Sequence, residues 1–247
     1  MSSLGDRRGE FSSGAVLRQL LEIAVESREE VSRWRDIPAD PAVYDGIFAR
    51  MASELGDTQK RLTGERTLAG ARWEALESHP QGRRLVRIRN DRRFQTWGFF
   101  NFLLLRSREL AAADDSRAAL EAGDLALAVA RCLDPAEYGE ERTEDFKSEA
   151  FAAIAEAKRG LGDLTGAWKA FDQARTALEA GTGDPLDRAE LELLRSRLLD
   201  GSGLQEEAEQ ASRRAVNLFR RIGDRRLHAG SMVQVEHPEA EGRAARA

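Results

Sequence analysis

Apolar residues recur at intervals of three and four along most of the chain, with charged residues between them. The clearest example is the segment 151–174, where Phe151, Ile154 and Ala155 share one helical stripe and a second stripe begins at Leu164. Each stripe predicts a short amphipathic helix. A helix of this length cannot bury its apolar face alone, so the two are expected to pack against each other and against similar neighbours.

A turn separates these two stripes. Gly160 and Gly162 can end the first helix, because glycine adopts positive φ at little cost, and Asp163 can cap the amides of the second. Two helices joined by so short a loop pack antiparallel. The segment therefore predicts a helical hairpin.

Related patterns occur on both sides of this hairpin. Gly203-Leu204 follows the Gly162-Asp163 pair by 41 residues, and Gly123-Asp124 precedes it by 39. On the downstream side the stripe of a first helix and two alanines of a second helix are present; these residues are Leu191, Leu194, Leu198, Ala208 and Ala215. Upstream, two interpretations are open: a turn at Gly123, or a single helix over 116–133.

The central hairpin resembles the tetratricopeptide repeat (TPR). The positions that carry the resemblance are Phe151, Ile154, Ala155, Gly162, Asp163, Ala167, Phe171 and Ala174. Lys158 stands where that family usually has an aromatic residue. The resemblance implies an all-α fold in which antiparallel hairpins stack as a short TPR-like solenoid, and it implies a function in holding other proteins.

Composition shifts along the chain predict four parts. They are a disordered N-terminus over 1–13, an N-terminal helical region over 14–90, a TPR-like helical repeat domain over 91–233 and a disordered tail over 234–247. Within the N-terminal region, Asp40 and Pro41 are suited to begin a helix that continues almost to His79. The apolar line of that helix fits packing on neighbouring helices or a self-associating coiled coil, and the small number of clean heptads favours packing.

The densest positive charge lies just after His79. Six arginines occur within eleven residues: Arg83, Arg84, Arg87, Arg89, Arg92 and Arg93. One interpretation is a nucleic-acid contact, with Phe94 or Trp97 available for stacking. The other is a helix whose arginines flank a buried face of Leu85, Val86 and Ile88, and the formal net charge of −5 favours it.

The sequence offers little for chemistry. The single Cys132 forms no disulfide within the chain and suits a reducing compartment, and the three histidines have no metal-ligand spacing. No nucleotide-binding or nucleophile motif is present, and the longest apolar run is too short to cross a bilayer. We therefore expect a cytoplasmic protein that is not an enzyme and that uses no metal or cofactor.

The resemblance also indicates a binding face, because the first helix of each hairpin lines the concave surface in that family. The corresponding positions here are Glu149, Ala152, Glu156, Arg159, Ala189, Glu192 and Ser196. Three glutamates against one arginine predict a protein or peptide partner that is basic or neutral. The short last helix over 224–234 predicts a weak cap, and hence a tendency to form a homodimer through the C-terminal end.

Overall fold

A computed structural model describes residues 41–223, with side chains described at 50 and over 52–223. The chain divides into two compact units, Met1–Gly56 and Asp57–Ala247. The described residues of the first unit, 41–56, are helical. Several predicted segments lie outside the described residues: the disordered ends, the helix expected after residue 14, and the last helix with its dimer contact.

The described residues form nine α-helices and contain no strand. The helices are α1 Pro41–Glu77, α2 Gln81–Asn90, α3 Trp97–Ala112, α4 Ser116–Ala130, α5 Pro135–Tyr138, α6 Glu140–Gly160, α7 Leu164–Ala180, α8 Pro185–Gly201 and α9 Gln205–Ile222. A 3₁₀ turn, Arg92–Phe94, connects α2 to α3. The all-α prediction is confirmed for this part of the chain, and α1 begins at Pro41 and passes Gly64 and Gly70 without a break.

Side-chain caps fix where several helices begin. Thr96, Asp115, Asp163 and Asp184 each accept a hydrogen bond from a backbone amide in the first turn of the following helix. Such a cap satisfies one of the amides that have no partner inside the helix. The predicted capping role of Asp163 is confirmed.

Three helical pairs, α3–α4, α6–α7 and α8–α9, are joined by turns of the same geometry. One residue in each turn is left-handed: Asp114 has φ 61°, Gly162 has φ 77° and Gly203 has φ 78°. In each turn the amide of the next residue donates to the carbonyl five residues earlier, at 2.9–3.0 Å. This is the Schellman arrangement, which ends a helix and reverses the chain.

The upstream turn does not lie at Gly123. That residue is buried inside α4, as the single-helix interpretation expected, and the turn is made by Asp114, since aspartate tolerates the left-handed conformation better than most side chains. Equivalent turn residues are therefore 48 and 41 residues apart rather than 39 and 41. The extra length lies in the connection that holds α5 and in the long helix α6.

Alanines dominate the contacts between neighbouring helices. Ala119, Ala150, Ala155, Ala167 and Ala174 have no exposed surface, and α6 packs on α7, α4, α3 and α8. Small side chains let helix backbones approach closely, so the array is held by short interhelical distances with aromatic rings filling the remaining space. The Phe100 and Phe146 rings, for example, meet at 5.2 Å between α3 and α6.

Buried serines add a hydrogen bond within each pair. The hydroxyls of Ser107, Ser148 and Ser196 donate to alanine carbonyls on the paired helix, each at 2.8 Å. Ser107 and Ser196 both stand seven residues before the left-handed turn residue, and Ala155 occupies that position in the central pair. All three pairs thus share the turn, and two of them share the serine contact at the same position.

The start of α3 is sealed by a side chain from α1. Glu65 is buried and accepts hydrogen bonds from the Gly98 amide at 2.9 Å and the Tyr138 hydroxyl at 3.0 Å. A carboxylate at a helix N-terminus is stabilised by the helix dipole as well as by the amide. Burial raises the pKa of Tyr138 to about 12, so its hydroxyl keeps its proton and remains a donor.

Close contact at Gly98 yields the first prediction. A methyl group on Gly98 of α3 would overlap the backbone of Glu65 on α1. At Gly64, which is also on α1, no atom of the described residues lies near the position of an added methyl group. We expect Gly98→Ala to lower the free energy of unfolding by about 2–4 kcal/mol, through a clash that the core cannot absorb. Gly64→Ala should instead raise it by about 0.5–1 kcal/mol, since alanine favours a helix over glycine.

Urea denaturation of the two variants measures both effects. If Gly98→Ala were as stable as the parent chain, α1 would not approach α3 as closely as described.

Candidate binding surfaces

The four predicted groove residues of α6 lie along one partly exposed stripe. They are Glu149, Ala152, Glu156 and Arg159. Glu156 pairs with Arg159 at 2.9 Å and reaches Arg197 of α8 at 3.7 Å. The stripe therefore borders α8, on a surface formed by the first helices of successive pairs.

The three predicted residues of α8 lie elsewhere. Ala189 is fully buried, Ser196 is buried against α9, and Glu192 pairs with Arg214 of α9 at 2.9 Å. The physical reason is an offset of one residue, which turns a side chain about 100° around a helix. Because equivalent turns are 41 residues apart, Glu190 and Arg197 are the α8 residues that correspond to the α6 stripe.

A group of carboxylates lies where α3, α6 and α8 meet; we call it the acidic face and define it as Glu149, Asp187 and Glu190. Arg108 of α3 pairs with Glu190 at 3.0 Å and also lowers the electrostatic cost of ionising Glu149. Burial raises the pKa of Glu149 to about 7, and the negative charge of Asp187 acts in the same direction. Glu149 therefore carries only part of its charge near neutrality.

The pKa of Asp187 is raised in a similar way. Burial raises its pKa to about 6, with repulsion from Asp184 as the next cause. One of its carboxylate oxygens is buried and accepts no hydrogen bond from any described residue. A buried carboxylate oxygen without a donor is costly, so a donor brought by a ligand would be stabilising here.

Asp145 lies nearby but has a structural role. It is fully buried and accepts hydrogen bonds from the Thr182 amide at 3.1 Å, the Thr182 hydroxyl at 2.7 Å and Arg142 at 3.3 Å. These bonds fix the connection between α7 and α8. With its oxygens already occupied, Asp145 is not part of the acidic face.

The arginines of the arginine-rich segment fall into two groups, those that pair with carboxylates among the described residues and those that do not. Arg84 donates to Glu121 at 2.6 Å and to the Glu77 carbonyl at 2.8 Å, which ties α2 to α4 and α1. Arg93 pairs with Asp91 at 2.7 Å. Four arginines are exposed and pair with no carboxylate among residues 57–223: Arg83, Arg87, Arg89 and Arg92.

The apolar residues of that segment differ from expectation in part. Ile88 is buried and Leu85 partly so, but Val86 is 56% exposed, so the predicted three-residue buried face has only two members. Phe94 is buried in the core, and the Trp97 ring is covered by the Arg66 guanidinium at 4.5 Å. Neither ring is positioned to stack on a base.

Sequence reasoning did not predict a cleft of about 760 Å³ between α7, α8 and α9. Its floor is apolar and includes Phe171, Leu178 and Leu191, all buried. Trp168 closes part of it, with its ring edge-to-face against Phe171 at 5.4 Å and its indole N–H directed to the Ser202 hydroxyl at 3.3 Å.

Arginines surround this cleft. The five that line it are Arg175, Arg188, Arg195, Arg214 and Arg221, and the carboxylates that line it are Asp172, Glu179 and Glu192. A signal was present in the sequence, because Arg188 and Arg195 on one helix, and Arg214 and Arg221 on the next, are seven residues apart. Residues seven apart lie on one helix face.

Two further observations concern the described residues alone. No group of three or more His, Cys, Asp or Glu side chains is placed there to hold a metal ion. None of the helices within 41–223 combines the length and the apolar character needed to cross a membrane.

Comparisons with known proteins do not assign the chain to a family. Neither a family model, nor a curated protein, nor a solved structure matches it. The basis for a function is therefore the charge of the acidic face, of the arginine-rich segment and of the cleft.

The pKa of Glu149 gives a prediction about stability. Because the folded-state pKa lies above the ordinary value of 4.5, the carboxyl stabilises the fold most when protonated, and this contribution is lost as pH rises through about 7. Glu149→Gln removes the titration. We expect the variant to gain on the parent chain by about 3 °C in Tm between about pH 5.5 and 8.

Thermal melts followed by circular dichroism at both pH values measure this difference. Glu74→Gln, at an exposed position of α1, is the control and should leave the pH dependence as it is in the parent chain. Identical pH profiles for Glu149→Gln and the parent would show that Glu149 is not desolvated.

Proposed function

We propose that this chain is a non-catalytic protein-interaction module, in which TPR-like hairpins hold a segment of a partner protein against the first helices α3, α6 and α8. The repeated turn and the repeated contact between Ser107 or Ser196 and the paired helix support an array of equivalent pairs. Contacts of α6 with both α3 and α8 support a continuous surface. The lone Cys132 of the chain is the basis for proposing a cytoplasmic location.

The observation that carries the proposal is the state of Glu149 and Asp187. Burial raises the pKa of both, repulsion from Asp187 adds to it at Glu149, repulsion from Asp184 adds to it at Asp187, and Asp187 has an oxygen without a donor among the described residues. A lysine or arginine side chain of a partner would supply the missing donor and would return both groups to the ionised form. The face is therefore built for a basic segment rather than an acidic one.

Charged residues beside the acidic face would fix how a bound segment is positioned along the stripe. Along the same stripe Glu156 pairs with Arg159 and reaches Arg197, so this part carries one negative charge against two positive charges. Such a group adds little attraction for a strongly charged segment but can pair with backbone or polar groups. A partner with one or two basic residues beside a neutral stretch fits this distribution of charge.

Binding of short peptides tests the proposal. Three labelled peptides of about fifteen residues, one Lys/Arg-containing, one neutral and one Asp/Glu-rich, would be titrated with the full chain. The basic peptide should bind best, and the double variant Glu149→Gln, Asp187→Asn should weaken it by about tenfold or more.

The matched control is Glu206→Gln with Glu207→Gln, which removes the same charge from exposed positions in the first turn of α9. Equal affinity of the basic peptide for the parent and the acidic-face variant would remove this face from consideration.

A second candidate is nucleic-acid binding through α2 and the 3₁₀ turn. It is favoured by the four arginines that are exposed and pair with no carboxylate in the described region: Arg83, Arg87, Arg89 and Arg92. The covered Phe94 and Trp97 rings leave phosphate contacts as the main source of affinity.

Electrophoretic mobility of a short single-stranded oligonucleotide tests this candidate. If it is correct, affinity falls steeply between about 50 and 200 mM salt, and Arg83→Glu with Arg87→Glu abolishes the shift. The control, Arg213→Glu on the exposed side of α9, should leave the shift in place. Absence of a shift at low salt would exclude the candidate.

A further inference from the structure

The cleft between α7, α8 and α9 has more positive than negative charge. Of its three carboxylates, Asp172 pairs with Arg175 at 3.1 Å, and Glu192 reaches Arg214 at 2.9 Å and Arg195 at 3.7 Å.

The two remaining arginines, Arg188 and Arg221, have no carboxylate within ion-pair distance among residues 57–223. Both are exposed. The cleft therefore offers two unpaired guanidinium groups above an apolar floor.

We propose that this cleft binds an acidic peptide segment of a partner protein. Apolar side chains of the segment would pack on the partly exposed Trp168 and Leu218, while its carboxylates pair with Arg188 and Arg221. A guanidinium presents its donors as a planar fork that matches a carboxylate, which gives such contacts direction as well as strength.

A peptide fits the lining better than a small anion. The partly exposed Trp168 and Leu218 give nothing to a phosphate or sulfate but can be covered by Leu- or Val-type side chains. Asn217 is exposed at the cleft, and its amide can donate to and accept from one backbone peptide group at once. The fixed Trp168 ring adds a rigid apolar surface beside the floor.

The lining also disfavours a nucleic acid. A continuous polyanion would place phosphates against Asp172, Glu179 and Glu192, which share the cleft with the arginines. Carboxylates of a peptide are spaced along the chain and can avoid these positions. The mixed charges of the lining thus favour a segment with separated acidic residues.

This cleft is independent of the acidic face. It is lined by α7, α8 and α9 and includes none of Glu149, Asp187 and Glu190. Substitutions on one surface are therefore expected to leave binding at the other unchanged, so the two proposals can fail separately.

Fluorescence anisotropy with the full chain tests the inference. The probe is a labelled peptide of about ten residues in which Leu and Glu alternate, and its counterpart has Lys in place of Glu. We expect saturable binding of the Glu peptide, with an affinity that Glu149→Gln with Asp187→Asn leaves unchanged. The Lys peptide is compared in that double variant, which lacks the acidic face, and should not bind to it.

Charge reversal locates the site. Arg188→Glu with Arg221→Glu should weaken the Glu peptide by about tenfold or more, because both guanidinium contacts become repulsive. The matched control is Arg117→Glu with Arg220→Glu, which alters exposed arginines in equivalent helix ends outside the cleft and should change affinity by less than about twofold. Asn217→Ala, a milder change, should cost about threefold.

Thermal melts of each variant confirm that it folds. The inference is overturned if the Glu peptide does not bind, if the Lys peptide binds the Glu149→Gln, Asp187→Asn variant as tightly as the Glu peptide does, or if the control variant loses as much affinity as the cleft variant. Tighter binding of a single-stranded oligonucleotide that is lost in the cleft variant would also overturn it, in favour of a nucleic-acid site.

Discussion

Close packing of alanines between helices is the constraint on which the described structure depends. Each helix of the three pairs has one apolar face, and only a neighbour at short range can cover it. Ala119, Ala150 and Ala167 permit that range because they have no exposed surface and almost no side chain to displace. The central helix α6 is the most extensively covered, since it packs against α3, α4, α7 and α8. Its remaining stripe is consequently narrow, and the polar residues left on it are partly desolvated.

Desolvation explains why the two surfaces differ in chemistry. On the side of α3, α6 and α8 the close packing buries carboxylates, and this burial is the main reason that the pKa values of Glu149 and Asp187 are raised. In the cleft between α7, α8 and α9, Arg188 and Arg221 remain exposed around a floor whose apolar residues are buried. The described helices therefore present an acidic face on one side and an arginine-lined cleft elsewhere.

Much of this architecture was predictable from local sequence, because caps and helical stripes act over a few residues. The hairpin at Gly162, the cap at Asp163 and the helix that begins at Pro41 are examples. The turn at Asp114 was missed because aspartate is a rarer choice for left-handed backbone than glycine. The groove residues of α8 were placed 40 residues after those of α6 instead of the 41 that separate the turns, which put Ala189 and Ser196 on the buried side of α8. The cleft required side chains from three helices, which no local pattern contains.

The seal at the start of α3 limits how such an array can change in length. Glu65 occupies the amide of Gly98, and the backbones of α1 and α3 meet there without room for a methyl group. A further hairpin inserted ahead of α3 would have to displace that carboxylate and rebuild the junction. Lengthening by duplication of a pair would meet no such obstacle between α7 and α8, where a four-residue connection already joins one pair to the next. The array can therefore be lengthened between its helical pairs more easily than ahead of α3.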